Sequence, residues 1–187
     1  VVTLGADRPA TVHAHAPGPA TDPDAECQRA WRVLQQVPDP EVPALSVCDL
    51  GIVREVAVQG TAARVVLTPT YSGCPATEVI HQGVHDALAA AGFAPVTVTL
   101  QRAPAWTTDW ISPEGRDKLR AYGIAPPSGT AAVHDGAVPI RLHARGVDCP
   151  RCGSGQTERL SAFGSTACKA LYRCLACREP FEHFKPI

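Results

Sequence analysis

The chain has 187 residues, of which 45% are hydrophobic, enough for one medium-sized domain with a buried core and a smaller module. Its formal charge of −1 at pH 7 argues against a dedicated nucleic-acid-binding protein, because such proteins offer a strong positive charge to phosphates. No apolar run reaches the length of a membrane span, so the sequence shows no transmembrane helix.

The first predicted element is a disordered tail. Residues 1–22 are rich in Ala, Pro, Gly, His and Thr and show no periodicity. They lack the charged and apolar regions of a secretory signal, so we expect a cytoplasmic protein. A helix is predicted next, from Asp22 or Asp24 to about Gln36, with an apolar stripe formed by Cys27, Ala30, Trp31 and Leu34.

Two carboxylates follow this helix in a proline-rich loop. Pro38, Pro40 and Pro43 favour an extended, stiff segment that presents Asp39 and Glu41 two residues apart. Because alternate residues of an extended segment point to the same side, the pair is suited to acid–base chemistry or to metal ligation. A capping role or a solvated loop is the alternative.

The strands of a small sheet come next. Gly51 is expected to adopt a positive φ, and residues 52–58 and 62–68 form a hairpin around a Gln-Gly turn. A helix is predicted over residues 75–91 and a third strand over residues 95–100. The order helix, strand, strand, helix, strand predicts an α+β domain, with helices packed on a small sheet, over residues 23–125.

Cys74 lies where the second strand turns into the following helix. Pro75 suits the first helical position, which puts Cys74 at the helix N-terminus, where free N–H groups and the helix dipole favour a thiolate. The sequence therefore predicts a reactive or metal-binding thiol at the rim of the sheet. A small cysteine that only packs is the alternative.

Two tryptophans follow the third strand. Trp106 and Trp110 lie in a loop and are predicted either to form a partner-contact surface or to cover the open side of the sheet. A short helix is predicted over residues 113–122 and a linker over residues 126–145.

Residues 146–187 carry the strongest chemical pattern, two C-x-x-C knuckles formed by Cys149 with Cys152 and Cys174 with Cys177. Four thiolates at this spacing predict a tetrahedral structural Zn²⁺ site in a zinc-ribbon module, whose small core depends on the metal. An iron–sulfur centre on the same thiolates is the alternative. Cys168 is a possible additional thiol, which either takes part in metal binding or packs in the ribbon.

Several motifs resemble known families. Over about residues 26–100 the chain resembles the SufT-like family of iron–sulfur cluster assembly domains. The motifs that carry this resemblance are Asp39-Pro40-Glu41-x-Pro43, Asp49-Leu50-Gly51 and Thr70-x-x-x-Cys74-Pro75. Over about residues 26–187 the chain resembles the PaaD family of phenylacetate degradation. This resemblance is carried by the segments 68–75, 104–111, 122–127, 149–153 and 163–174.

The resemblance implies an accessory, non-enzymatic member of the multicomponent phenylacetyl-CoA epoxidase system. In that system a di-iron oxygenase and an iron–sulfur flavin reductase carry out the redox chemistry. The resemblance also implies that Cys74 transfers iron or an iron–sulfur cluster, with Asp39, Glu41, Asp49 and Thr70 around it.

Three other functions remain open. The chain can be a structural or docking subunit that contacts the oxygenase and reductase components without metal transfer, or a protein that carries its own iron–sulfur cluster. An enzyme with Cys74 as its nucleophile is disfavoured, because no histidine lies in the Cys74 turn. An open sheet edge favours a homodimer.

Overall fold

The computed structural model describes residues 23–71, 73–127 and 146–187. The predicted tail 1–22 and residues 128–145 of the predicted linker lie outside the described residues. The helices and strands, in chain order, are α1 (Pro23–Leu34), β1 (Val53–Gln59), β2 (Ala62–Leu67), α2 (Thr77–Ala90), β3 (Val96–Leu100), a 3₁₀ helix (Thr108–Trp110), α3 (Pro113–Tyr122), β4 (Ile124–Ala125), β5 (Thr157–Ser161), β6 (Lys169–Cys174) and β7 (Pro180–Phe184). No helix in these ranges is long and apolar enough to cross a membrane.

The first sheet has three strands in the order β1-β2-β3. The β1–β2 hairpin is antiparallel, and β3 pairs parallel to β2 because α2 carries the chain back across the sheet. Ala63, Val65 and Leu67 alternate along β2 and are buried in one core with Val84 and Leu88 of α2. The predicted α+β architecture, with helices packed on a small sheet, is confirmed.

The second sheet has four strands in the order β4-β7-β6-β5. In the ribbon, β5, β6 and β7 pair antiparallel. β4 was not predicted; Ile124 and Ala125 follow α3 directly and pair parallel with Glu182 and His183 of β7. The ribbon sheet therefore includes a strand from before the predicted linker, and the predicted domain boundaries stay a prediction.

The ribbon packs against the first sheet's core through the end of β7. Phe184 is 2% exposed and belongs to the same buried cluster as Leu50 and Ile52, while its ring centroid lies 6.1 Å from that of Trp106. The N–H of Thr108 donates to the Ile187 carbonyl at 3.2 Å, which anchors the end of the chain to the 3₁₀ helix. Part of the ribbon thus joins the hydrophobic core of the first sheet, while the ribbon also has a small cluster of its own.

Of the two roles predicted for the tryptophans, the contact surface does not hold for Trp106, which is buried in the core. Its side chain is 4% exposed, and its indole Nε1–H donates to the Leu50 carbonyl at 2.9 Å. Burial is favourable here because the ring packs on Phe184 while its polar N–H keeps a partner. Trp110 is half-buried, with the Arg54 guanidinium 3.5 Å from the centroid of its ring.

Gly51 has φ +66°, as predicted, and lies close to the backbone of Trp110. A Cβ at this position would lie 2.8 Å from Trp110 Cβ and 2.9 Å from Trp110 C. We expect Gly51→Ala to lower the free energy of unfolding by the cost of a strained φ, about 1–2 kcal/mol, and by a further contribution from this clash. Denaturant unfolding measures the loss.

Gly60 provides the matched control, because it has φ +60° but no heavy atom within 4 Å of a built Cβ. Gly60→Ala should therefore show the cost of the φ angle alone. Equal losses for the two variants would mean that the contact with Trp110 relaxes without cost.

Candidate functional site

A small cavity lies between the first sheet and the ribbon. Its volume is about 20 Å³, which is room for one water molecule or one ion. The walls are partly apolar and include Leu50, Ile80 and Phe184. The polar residues that line the cavity are Asp39, Glu41, Thr70, Cys74, Thr77 and Cys168. The structure thus brings together four of the predicted transfer-site residues, Cys74, Asp39, Glu41 and Thr70, and adds Cys168.

Cys74 lies in the turn between β2 and α2. α2 begins at Thr77, two residues later than predicted, because Pro75 and Ala76 form a turn ahead of it. The hydroxyl of Thr77 donates to the Cys74 carbonyl at 2.9 Å and fixes this turn. The Cys74 side chain is half-buried, so reagents can still reach its sulfur.

The surroundings of Cys74 act against the predicted stabilisation of its thiolate. Burial raises the pKa of the Cys74 thiol, and the carboxylates of Glu41 and Asp39 raise it further because they repel a thiolate. The N–H of Ala76 and the hydroxyl of Thr77 act to lower this pKa, but they do not offset burial and the two carboxylates. Local sequence indicated the start of the helix to within two residues, whereas the opposing carboxylates come from a distant loop.

Asp39 and Glu41 face the cavity from a tight turn instead of an extended segment. The N–H groups of Glu41 and Val42 donate to Asp39 Oδ1 at 2.9 and 2.7 Å. Burial nevertheless raises the pKa of Asp39, and burial together with Asp39 raises the pKa of Glu41. Asp39 is 6% exposed and Glu41 is half-buried. A cation in the cavity would stabilise the ionised form of both carboxylates.

Asp49 does not line this cavity. Its carboxylate accepts hydrogen bonds from the Ser46 N–H at 2.8 Å, the Ser46 hydroxyl at 2.9 Å and the Lys118 ammonium at 2.7 Å. Burial acts to raise the pKa of Asp49, but Lys118 and Ser46 outweigh it and hold the pKa below its ordinary value. The position of Asp49 indicates that it fixes the loop before Gly51.

One residue that lines the cavity, Thr77, and one charged residue near it, Lys169, were not singled out from the sequence. Thr77 belongs to the first turn of α2, and the nearby Cys74-Pro75 turn was the only signal that pointed to it. Lys169 is 3% exposed, and its ammonium lies 3.1 Å from the Glu182 carboxylate. Burial raises the pKa of Asp39, Glu41 and Cys168, and the Lys169 charge offsets part of that rise. Sequence reasoning misses a buried lysine because lysine is nearly always exposed.

The four knuckle cysteines converge on one point in the ribbon. Their sulfurs all lie within 4.8 Å of one another, with Cys149 Sγ 3.8 Å from Cys177 Sγ and Cys152 Sγ 3.6 Å from Cys174 Sγ. Four thiolates around a Zn²⁺ ion at 2.3 Å would be about 3.8 Å apart, so the sulfurs fit one tetrahedral ion. The N–H of Cys177 and then that of Ala176 lower the pKa of Cys174 to about 6, which favours a thiolate ligand.

Comparison with known proteins matches both parts of the chain. The family model for an iron–sulfur cluster assembly protein matches residues 28–100, and the model for the PaaD zinc beta ribbon domain matches residues 135–185. An Escherichia coli (strain K12) protein, named as a putative subunit of 1,2-phenylacetyl-CoA epoxidase, is 50% identical over 168 residues, which cover 90% of this chain and 98% of that protein.

Two solved structures are similar to part of the chain. A domain of unknown function, DUF59, from Bacillus anthracis has a TM-score of 0.48 and 24% identity, and covers 51% of this chain and 92% of its own. A conserved hypothetical protein from Thermotoga maritima has a TM-score of 0.43 and 30% identity, and covers 49% of this chain and 91% of its own.

Proposed function

The chain belongs to the PaaD family of phenylacetyl-CoA epoxidase subunits, and we propose that it assists assembly of an iron or iron–sulfur cofactor in that system through Cys74. The observation that carries this proposal is the cavity in which Cys74 meets two carboxylates. Thiolate and carboxylate are both ligands of iron. Cys74 and both carboxylates also lie within the segment that matches an iron–sulfur cluster assembly protein.

A non-catalytic role is supported by the surroundings of Cys74. Two histidines follow it on α2, and both have other partners: a ring nitrogen of His81 lies 3.2 Å from the Val98 carbonyl, and His85 Nδ1 lies 3.1 Å from Asp86. Neither lines the cavity, so neither is placed as a base for a cysteine nucleophile. The thiol is better suited to binding a metal than to attacking a substrate.

We also propose that the ion of the ribbon is Zn²⁺ and that its role is structural. In an iron–sulfur cluster the four thiolates are shared between several irons and lie further apart than around one ion. The four sulfurs here lie within 4.8 Å, which favours a single ion. Metal and acid-labile sulfide analysis of anaerobically purified protein should give about one zinc per chain and no sulfide. Sulfide with iron would mean that the protein carries its own cluster.

The partners that we propose are the oxygenase and reductase components of the epoxidase, which the name of the Escherichia coli relative supports. Burial of Trp106 removes one of the two predicted contact residues and leaves half-buried Trp110 for a docking surface. A homodimer and a cytoplasmic location stay predictions.

We expect Cys74→Ala to leave the fold intact and to lower cofactor loading of the partner several-fold, because the half-buried thiol is a ligand more than a core residue. The test is to produce the epoxidase components with either the wild-type chain or the variant, and to measure iron and sulfide in the purified components. Cys48→Ala is the matched control, since Cys48 is also half-buried but does not line the cavity. Normal loading with Cys74→Ala would rule out transfer through this thiol.

A further inference from the structure

The Cys74 cavity contains a second thiol, which the ribbon supplies. Cys168 is 5% exposed and lies just before β6, yet it lines the same cavity as Cys74 and belongs to the core of the first sheet. The hydroxyl of Thr166 lies 3.1 Å from Cys168 Sγ. Cys168 therefore faces away from the four-cysteine site of its own module.

The loop before Cys168 is held firmly in place. The Glu182 carboxylate accepts hydrogen bonds from the Ser165 N–H and from the Ser165 hydroxyl at 3.1 Å, and it pairs with the buried Lys169 at 3.1 Å. The N–H of Lys185 donates to the Cys168 carbonyl at 2.9 Å. A buried ion pair stabilises a protein little on balance, but it fixes one arrangement of the groups around it.

The groups around the cavity favour binding of a cation. Asp39, Glu41, Cys74 and Cys168 are four acidic groups around one small space, and Asp39 and Cys168 are buried. Lys169 supplies one positive charge nearby, but it already pairs with the Glu182 carboxylate at 3.1 Å and so does not balance the carboxylates of Asp39 and Glu41. A divalent metal ion would compensate these charges, and its binding would release the two thiol protons to solvent.

The size of the cavity indicates what kind of metal species it takes. A volume of about 20 Å³ is room for one ion. The ligand atoms of Cys74, Cys168 and Glu41 do not converge on one point in this structure. Within the described ranges, only the four ribbon cysteines place all their ligand atoms within 4.8 Å of one another. Cys74 and Glu41 are half-buried, so their side chains have room to rotate onto an ion.

We propose that Cys74 and Cys168, together with the carboxylate of Glu41, bind a single ferrous ion, so that the ribbon completes the site at which the chain takes up its cargo. This inference rests on the proposed function, which identifies the cargo as iron. It adds a ligand from the ribbon and makes the incoming species a mononuclear ion.

The test uses Co²⁺ as a spectroscopic substitute for Fe²⁺. Zinc-loaded protein is titrated anaerobically with Co²⁺ in a thiol-free reductant, and zinc is measured to show that the ribbon keeps its ion. Wild-type protein should bind one Co²⁺ and develop a thiolate-to-cobalt absorption in the near ultraviolet. Cys168→Ser and Cys74→Ser should each lose roughly half of this absorption, because each thiolate contributes its own transition.

Cys48→Ser is the control and should retain the full absorption. Because Cys168 is buried, the zinc content and melting temperature of Cys168→Ser are measured, and Cys168→Ala is compared as a second variant. Full absorption in the Cys168 variants, or no cobalt band in zinc-loaded wild type, would overturn this inference. Neither outcome affects the partner-loading test of Cys74→Ala, so the two proposals can fail separately.

Discussion

Replacement of Cys174 by serine is expected to remove the ribbon's metal ion and to unfold the ribbon. Cys174 is fully buried, and its sulfur lies 3.6 Å from that of Cys152 and accepts the Cys177 N–H at 3.5 Å. The ribbon's own core is small, formed by Ala125, Val147, Cys149, Cys174 and Phe181. Such a core does not stabilise a fold alone, whereas a structural zinc site contributes on the order of 10 kcal/mol.

The measurements are zinc content and limited proteolysis of the variant. Zinc should fall from about one per chain to a small fraction, and cleavage should begin within residues 146–187. Chelation of zinc from wild-type protein should have the same effect and be reversed by zinc, while Cys27→Ser should keep its zinc, because Cys27 Sγ contacts the Val56 carbonyl far from the ribbon site. A zinc-free Cys174→Ser chain that resists proteolysis would show that the ribbon folds without metal.

The sequence predicted the elements of this protein better than their assembly. The hairpin, α3 with its Ser112 cap and Gly123 end, and the four ribbon ligands were all predictable, because caps, turns and C-x-x-C spacing are local signals. The predicted start of α2 was two residues too early, because the turn at Pro75 is fixed by Thr77 and not by the proline alone.

The cavity was only partly predictable. The proline-rich loop and the Cys74 turn each suggested a site, but nothing local showed that Cys168 would join them from a different sheet. The ion pair of Asp49 could not be predicted from local sequence either, because its partner Lys118 is 69 residues away in the chain. The raised pKa of Cys74 has the same origin, since Glu41 and Asp39 approach it only in the folded chain. Tertiary packing determined each of these features.

Phe184→Ala is expected to detach the ribbon from the first sheet without emptying its metal site. Phe184 is 2% exposed, packs in the shared core against Trp106 and lines the cavity. Loss of a buried phenylalanine costs about 3–5 kcal/mol. We expect this loss in denaturant unfolding, together with faster alkylation of Cys168, because the wall that buries it is removed.

Phe181 provides a sharp comparison, because it lies on the same strand but packs in the ribbon's own core. It is 4% exposed, clusters with Cys149 and Cys174, and its ring stacks on Tyr172 with centroids 5.8 Å apart. Phe181→Ala should therefore speed the release of zinc to a chelator, whereas Phe184→Ala should leave that rate near the wild-type value. If Phe184→Ala released zinc as fast as Phe181→Ala, docking and metal binding would form one cooperative unit. The cavity would then depend on the ribbon's metal ion as well as on its packing.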